Sequence, residues 1–192
     1  MFGDKFYKRL RGLEPRQQTV FALALAERMY PNYALYAQST GKGNEAAFRE
    51  ALDSLWGYMT EKGSRVDLGA ILESFEEHIP NPVKEENYGA YPALDACVAL
   101  GCAYNSVICR LGEEAIEASN ASIGSVAGFI EMLAERDFSD EELYEHELME
   151  SEMSFQVALM HEVDKQRDPE QILAIRQMAS QDGVSNLGIS LE

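Results

Sequence analysis

Chemistry in this chain of 192 residues would have to come from three histidines, three cysteines and 33 carboxylates. Helical di-iron sites need Glu-x-x-His pairs on two helices, but the residues three before His78, His146 and His161 are Phe75, Leu143 and Ala158. Glu142 and Glu150 each lie one turn from His146, and a single helix does not supply a full ligand set. Glu73, Glu76 and Glu77 followed by Asp95 echo the clustered acids that hold Mg²⁺ between two helices. Positions 91 and 92 are Tyr and Pro, however, so the ligand count falls short. Asp95 reads instead as a first-turn carboxylate at the positive end of a helix.

Cys97, Cys102 and Cys109 match neither a zinc knuckle nor a C-x-x-C pair. They read as reduced, buried apolar residues on one helix. There is no G-x-x-x-x-G-K-[ST] loop and no G-x-S-x-G elbow, and Gly41-Lys42-Gly43 reads as a helix stop. The sequence therefore assigns no catalytic residue, no metal ligand and no cofactor, and leans away from an enzyme.

The remaining constellation is aromatic. Tyr30, Tyr33 and Tyr36 bracket Pro31, with Glu27 and Arg28 just before them, while Tyr88 and Tyr91 bracket the start of a helix at Pro92. If these two helices lie side by side, Arg28, Tyr30, Tyr33, Tyr88, Tyr91 and Asp95 are the candidate binding set. A tyrosine suits a pocket rim, a protein interface or a core boundary equally well, since it combines apolar area with a polar tip.

The elements that would position these groups are all helical. The expected centre is a buried helix over 92–111, with Cys97, Leu100, Tyr104, Val107, Ile108 and Leu111 inward and Asp95, Ala99, Cys102, Ala103, Ser106 and Arg110 on the smaller, more polar side. A short basic, aromatic helix spans 2–13. A second runs from Pro15 to Tyr30, is broken by Pro31 and resumes to Thr40. Asn44 caps a helix that Gly63 stops, and Asp67 caps one ending at Pro80, with Ile79 inward. Residues 80–91 form the longest connection, and long ordered loops in compact domains tend to be functional. A helix over 113–135 has Ile116, Ser119, Ile123, Val126, Ile130 and Leu133 as its inward seam. Ser139-Asp140-Glu141-Glu142 is a capping box opening a long acidic helix that bends near His146–Glu150, with Met153, Val157, Met160 and Val163 inward. Asp168-Pro169 starts the last helix, Gly183 ends it, and an extended tail packs down. The expectation is an all-α, single-domain bundle (1–192) of eight or nine helices around a buried central one.

The formal charge of −17 is uneven. Residues 1–16 carry five basic against two acidic side chains, whereas residues 131–152 carry ten acids against Arg136. This argues against binding nucleic acid through phosphates. No apolar run approaches the roughly 20 residues of a membrane span, and the amphipathic N-terminus lacks the apolar centre of a signal peptide. A cytoplasmic protein is expected, without nucleic acid or membrane as partner.

The segments Glu27-Arg28-Met29-Tyr30-Pro31-Asn32-Tyr33, Phe75 to Pro80, Tyr91 to Leu100, Ser139 to Leu143 and Ser185 to Leu191 together resemble the bacterial YjaG-like family, a domain of unknown function. The resemblance covers nearly the whole chain and implies a small, all-helical, cytoplasmic bacterial protein. It implies no activity and carries over no site residue. The functional expectation is a non-enzymatic interaction or regulatory module that binds an unknown protein partner or its own copy as a homodimer. The alternatives are a small-ligand binder or enzyme with its site under the 80–91 loop, and an acidic decoy for a basic partner.

Overall fold

Why the chain folds around two helices is clearest from its alanines. The computed structural model describes residues 2–61, 64–166 and 168–191, so the expected stop at Gly63 lies outside the described residues. Its helices are α1 (Asp4–Arg11), α2 (Pro15–Thr40), α3 (Glu45–Thr60), α4 (Leu68–Phe75), α5 (Ala90–Ile108), α6 (Glu114–Ala134), α7 (Asp140–Tyr144), α8 (Glu147–Lys165) and α9 (Pro169–Ser180). Short 3₁₀ turns follow α4 and α9. Among the described residues there is no strand, only an isolated antiparallel bridge between Val184 and Ser190. The all-α architecture expected from the sequence is what forms.

Helices α2 and α5 make the most extensive pair, and α6 packs against both. Ala22, Ala24 and Ala26 of α2 and Ala93, Ala96, Ala99 and Ala103 of α5 are all fully buried. Small side chains let two helix backbones approach closely, so the smaller, more polar side of α5 is also an internal one. The expected inward assignment of Ile108 and Leu111 is wrong: they are 46% and 81% exposed. Helix α5 ends at Ile108, where Arg110 turns left-handed (φ 56°) and its amide bonds back to Asn105 O at 2.9 Å. Cys109 therefore lies at the exposed end of the helix rather than buried, unlike Cys97 and Cys102.

Pro31 does not end α2, which runs unbroken to Gly41. The ring removes one donor, but Pro31, Asn32, Tyr33, Ala34 and Tyr36 are all buried by neighbouring helices, and tertiary burial carries a helix past a local breaker. The acidic segment forms two helices, not one bent one. His146 interrupts it, and its Nδ1 accepts from the Leu148 amide at 3.2 Å to cap α8. On α8 Met160 and Val163 are buried as expected, but Val157 is exposed and Met153 only half-buried, while Met149, Glu152, Gln156 and Leu159 point inward. Leu133 and Ile79 are likewise exposed.

The expected caps form: Asn44 accepts from Ala47, Asp67 from Ala70 and Asp168 from Gln171, at 2.9–3.0 Å, and Ser139 with Glu142 makes the capping box. The last helix ends slightly before Gly183, at a left-handed Gln181. The tail folds back rather than lying extended, with Ser185 N–H donating to Ile189 O at 2.8 Å and Ser185, Asn186 and Leu187 buried.

Candidate functional site

The candidate residues separate into three places. Tyr33 is fully buried, with ring centroids 4.6 Å from Phe48 and 5.8 Å from Phe75. Its hydroxyl donates to His78 O and accepts from Asn44 N–H, both at 2.9 Å. Gly43 beside it is left-handed (φ 70°), and a Cβ there would meet the Tyr33 hydroxyl at 2.7 Å, so the α2–α3 turn is moulded to this ring. Tyr30 donates to Glu45 at 2.9 Å under the Arg49 guanidinium, and burial pushes its pKa up to about 12. Tyr36 donates to Glu85 at 2.7 Å and ties down the 79–89 loop.

Arg28 is buried elsewhere, in a polar network that spans the interior. Its Nε donates to Glu152 at 2.8 Å, another N–H bonds Gln181, and the guanidinium lies 4.1 Å from the Phe155 ring centre. Glu152 also accepts from Ser122 (2.6 Å) and Gln156 (2.9 Å). Asn186 donates to Ser122 Oγ at 3.1 Å and accepts from Asn32 at 2.8 Å. The network thus ties α2, α6, α8 and the tail together. The acidic stretch 131–152 is accordingly not one uniform face: Glu152 is internal, Glu142 caps α7, and Glu131 accepts from the Phe138 amide.

Tyr88, Tyr91 and Asp95 do converge. Asn87 Oδ1 accepts from the Gly89 amide at 2.8 Å, and the Tyr91 amide bonds Tyr88 O at 2.9 Å, so the loop turns into α5 with both rings on one side, 6.0 Å apart. They wall a cavity of about 190 Å³ between α5 and α6 with Pro92, Asp95, Gly124, Ser125 and Gly128. Two glycines on α6 leave the space open: a Cβ on Gly124 would meet nothing within 4 Å, and one on Gly128 only the Tyr88 hydroxyl, at 3.6 Å.

Asp95 is the charged group of this cavity. Because α5 begins at Ala90, Asp95 lies in the second turn, not the first, and the expected macrodipole role falls away. Burial instead raises its pKa from 3.8 to about 6, offset in part by the Ser125 hydroxyl. No cationic side chain faces it among the described residues. Ser125 is buried, and its Oγ makes no hydrogen bond of good geometry. Burial and the negative charges of Asp95 and Glu131 push the Tyr88 hydroxyl up to about 12, so it stays neutral.

A second cavity of about 280 Å³ adjoins the first, with Tyr88 and Pro92 in the walls of both. Leu35, Tyr36, Phe129, Leu187 and Ile189 make its lining mainly apolar, and Asn32 is its buried polar member. The α6 residues Gly124, Ser125 and Gly128 escaped sequence reasoning. Their only signal was a run of small side chains on a helix whose seam was otherwise large. Among the described residues no three His, Cys, Asp or Glu converge as a metal site, and no helix is long and apolar enough to cross a membrane.

An all-helical chain with a carboxylate-bearing cavity between its central helices is the class that fold and site define. The family model described as "Protein of unknown function (DUF416)" matches residues 5–190, and the chain belongs to that family. It is 40% identical to the uncharacterized protein YjaG of Escherichia coli K12, over 98% of both chains. It is 35% identical to an uncharacterized protein of Haemophilus influenzae Rd, over 97% of both. A crystal structure of a DUF416 family protein from Shewanella baltica OS155 is similar over the full length of both chains, with a TM-score of 0.89 at 32% identity.

Proposed function

We propose that this protein is a binding module for a small organic cation, a molecule bearing a protonated amine, held between α5 and α6 under the 79–89 loop. The observation that carries this reading is Asp95: a half-buried carboxylate without a cationic partner among the described residues, opening on a cavity walled by two tyrosine rings. An ammonium group satisfies all of these walls at once. It pairs with the carboxylate, lies against the electron-rich ring faces and offers a donor to Ser125 Oγ. The surplus of negative charge over the whole chain raises the local concentration of cations and opposes anions. The roles available to these residues are recognition and charge pairing, in keeping with a non-enzymatic module.

Titration calorimetry with methylammonium, ethylammonium and, as controls, ethanol and acetate tests the reading. Binding of the ammonium ions alone is expected, lost in Asp95→Asn and weakened as Asp95 takes up its proton below about pH 6. Equal binding of ethanol, or full binding by Asp95→Asn, would overturn it. Tyr91, Val98 and Ile108, exposed along α5, support a second reading in which the chain self-associates as a homodimer through that helix. A strict monomer across a wide range of loading concentrations in sedimentation velocity would end that alternative.

A further inference from the structure

We infer that the ligand has two parts, an ammonium head in the Asp95 cavity and an apolar arm that passes Tyr88 into the adjoining cavity between α2, α6 and the tail; this rests on the binding reading above. The two cavities share a wall. Tyr88 and Pro92 belong to both, and the Tyr88 ring centroid lies 6.0 Å from that of Tyr91 and 6.5 Å from that of Phe129. The compartments differ in chemistry. The first has Asp95 and Ser125, whereas the second has Leu35, Phe129, Leu187 and Ile189 and no ionisable carboxylate or base in its lining. A lone inorganic cation or a very short amine would leave the larger, apolar cavity unused, and a neutral hydrocarbon would leave the carboxylate unpaired.

The far compartment has its own incomplete polar group. Asn32 Nδ2 donates to Asn186, but its Oδ1 is buried without a hydrogen-bond partner. A buried acceptor left unmade is costly. It favours an arm that ends in a hydroxyl or amino group over one that is hydrocarbon throughout. The ligand class is thus an amine on an apolar spacer, gaining further from a hydrogen-bond donor at its distal end.

Titration calorimetry with propylamine, hexylamine, 6-aminohexan-1-ol and hexanoate on the full chain tests this. Each CH₂ that enters an apolar cavity is worth about fourfold in affinity, so hexylamine is expected to bind at least tenfold tighter than propylamine. The amino alcohol should match or exceed hexylamine, and hexanoate should not bind. Leu35→Trp, at the partly exposed rim of the second cavity and remote from Asp95 in the lining, is expected to bring hexylamine down to the propylamine level while leaving propylamine unchanged. If propylamine and hexylamine bind alike in an Asp95-dependent manner, the two-part ligand is refuted and the cation site stands. If no amine binds, or binding ignores Asp95→Asn, both readings fall.

Discussion

Replacing Asp95 by Asn should make the protein more stable, by an amount that depends on pH in a calculable way. The folded-state pKa of Asp95, about 6, lies above its ordinary 3.8. Ionising this group therefore costs folding energy. The cost is absent below pH 3.8, grows between 3.8 and 6, and is complete above 6. At 1.36 kcal/mol per pH unit the full cost is about 3 kcal/mol at pH 8 and about 1.6 kcal/mol at pH 5. Water reaching the carboxylate through the cavity mouth lowers both figures, the one at pH 8 by more. Asparagine keeps the shape and never ionises, so the gain from Asp95→Asn should shrink on going from pH 8 to pH 5, by at most about half. Comparing the variant with the wild type at each pH cancels carboxylates such as Glu85, Glu113 and Glu142, whose depressed pKa values push stability the other way.

The assay is urea unfolding followed by circular dichroism at pH 5, 6, 7 and 8. For a chain of this size a gain of about 3 kcal/mol raises Tm by about 6–12 °C. An ammonium ligand should raise the wild-type Tm and leave that of Asp95→Asn where it is, because only a ligand that binds the folded state shifts the equilibrium. If Asp95→Asn is less stable than the wild type, or its gain does not vary with pH, the carboxylate has a stabilising partner in the folded protein. The cavity would then have no unmet charge to offer a cation.

Gly124→Leu should bring the opposite pairing of effects: about 0.5–1 kcal/mol of added stability, since a helical glycine gives way to a better helix former, together with loss of ammonium binding, because the new side chain grows into open space in the cavity wall. Calorimetry beside a thermal melt reads both. Glu152→Ala should destabilise by about 3–5 kcal/mol in urea unfolding, because Arg28 would be left buried with its charge uncompensated. Leu100→Ala, at a fully buried position on α5, should cost about 2–5 kcal/mol, and a wild-type-like melt would mean that α5 is not central. Asn186→Ala should cost about 1–3 kcal/mol by stranding the Asn32 amide, measured the same way.

What could be read in the sequence was what neighbours along the chain decide. Asn44, Asp67, Ser139 and Asp168 cap helices because a side chain and an amide three residues on are sufficient for the bond. Pro31 misled because its local cost is real, while the burial that carries α2 through it comes from other helices. Glu152 and Gln156 misled for the same reason: an inward-facing acid breaks the apolar periodicity of α8, and its justification, Arg28, is 124 positions away in the chain. The small, more polar side of α5 carried no packing partner in the sequence because small residues are ambiguous until a second helix is laid against them.

The site divides along the same line. Tyr91 and Asp95 lie four apart on α5 and Tyr88 sits in the turn that leads into it, so their meeting on one side is a matter of local geometry. Ser125 and the two glycines come from α6, and nothing local ties them to Asp95. Yet they determine what the carboxylate experiences. Large side chains at 124 and 128 would fill the space between the helices. Small ones keep the opening, which leaves room for a ligand beside a carboxylate whose pKa burial lifts toward 6 and which no counter-charge meets among the described residues. A carboxylate kept in that condition lowers stability at neutral pH, and a cationic ligand is what would recover the loss. Selection for stability alone would favour Asn at 95 or a larger residue at 124, so the combination of Asp95, Gly124 and Gly128 is the part of the molecule that folding by itself does not explain.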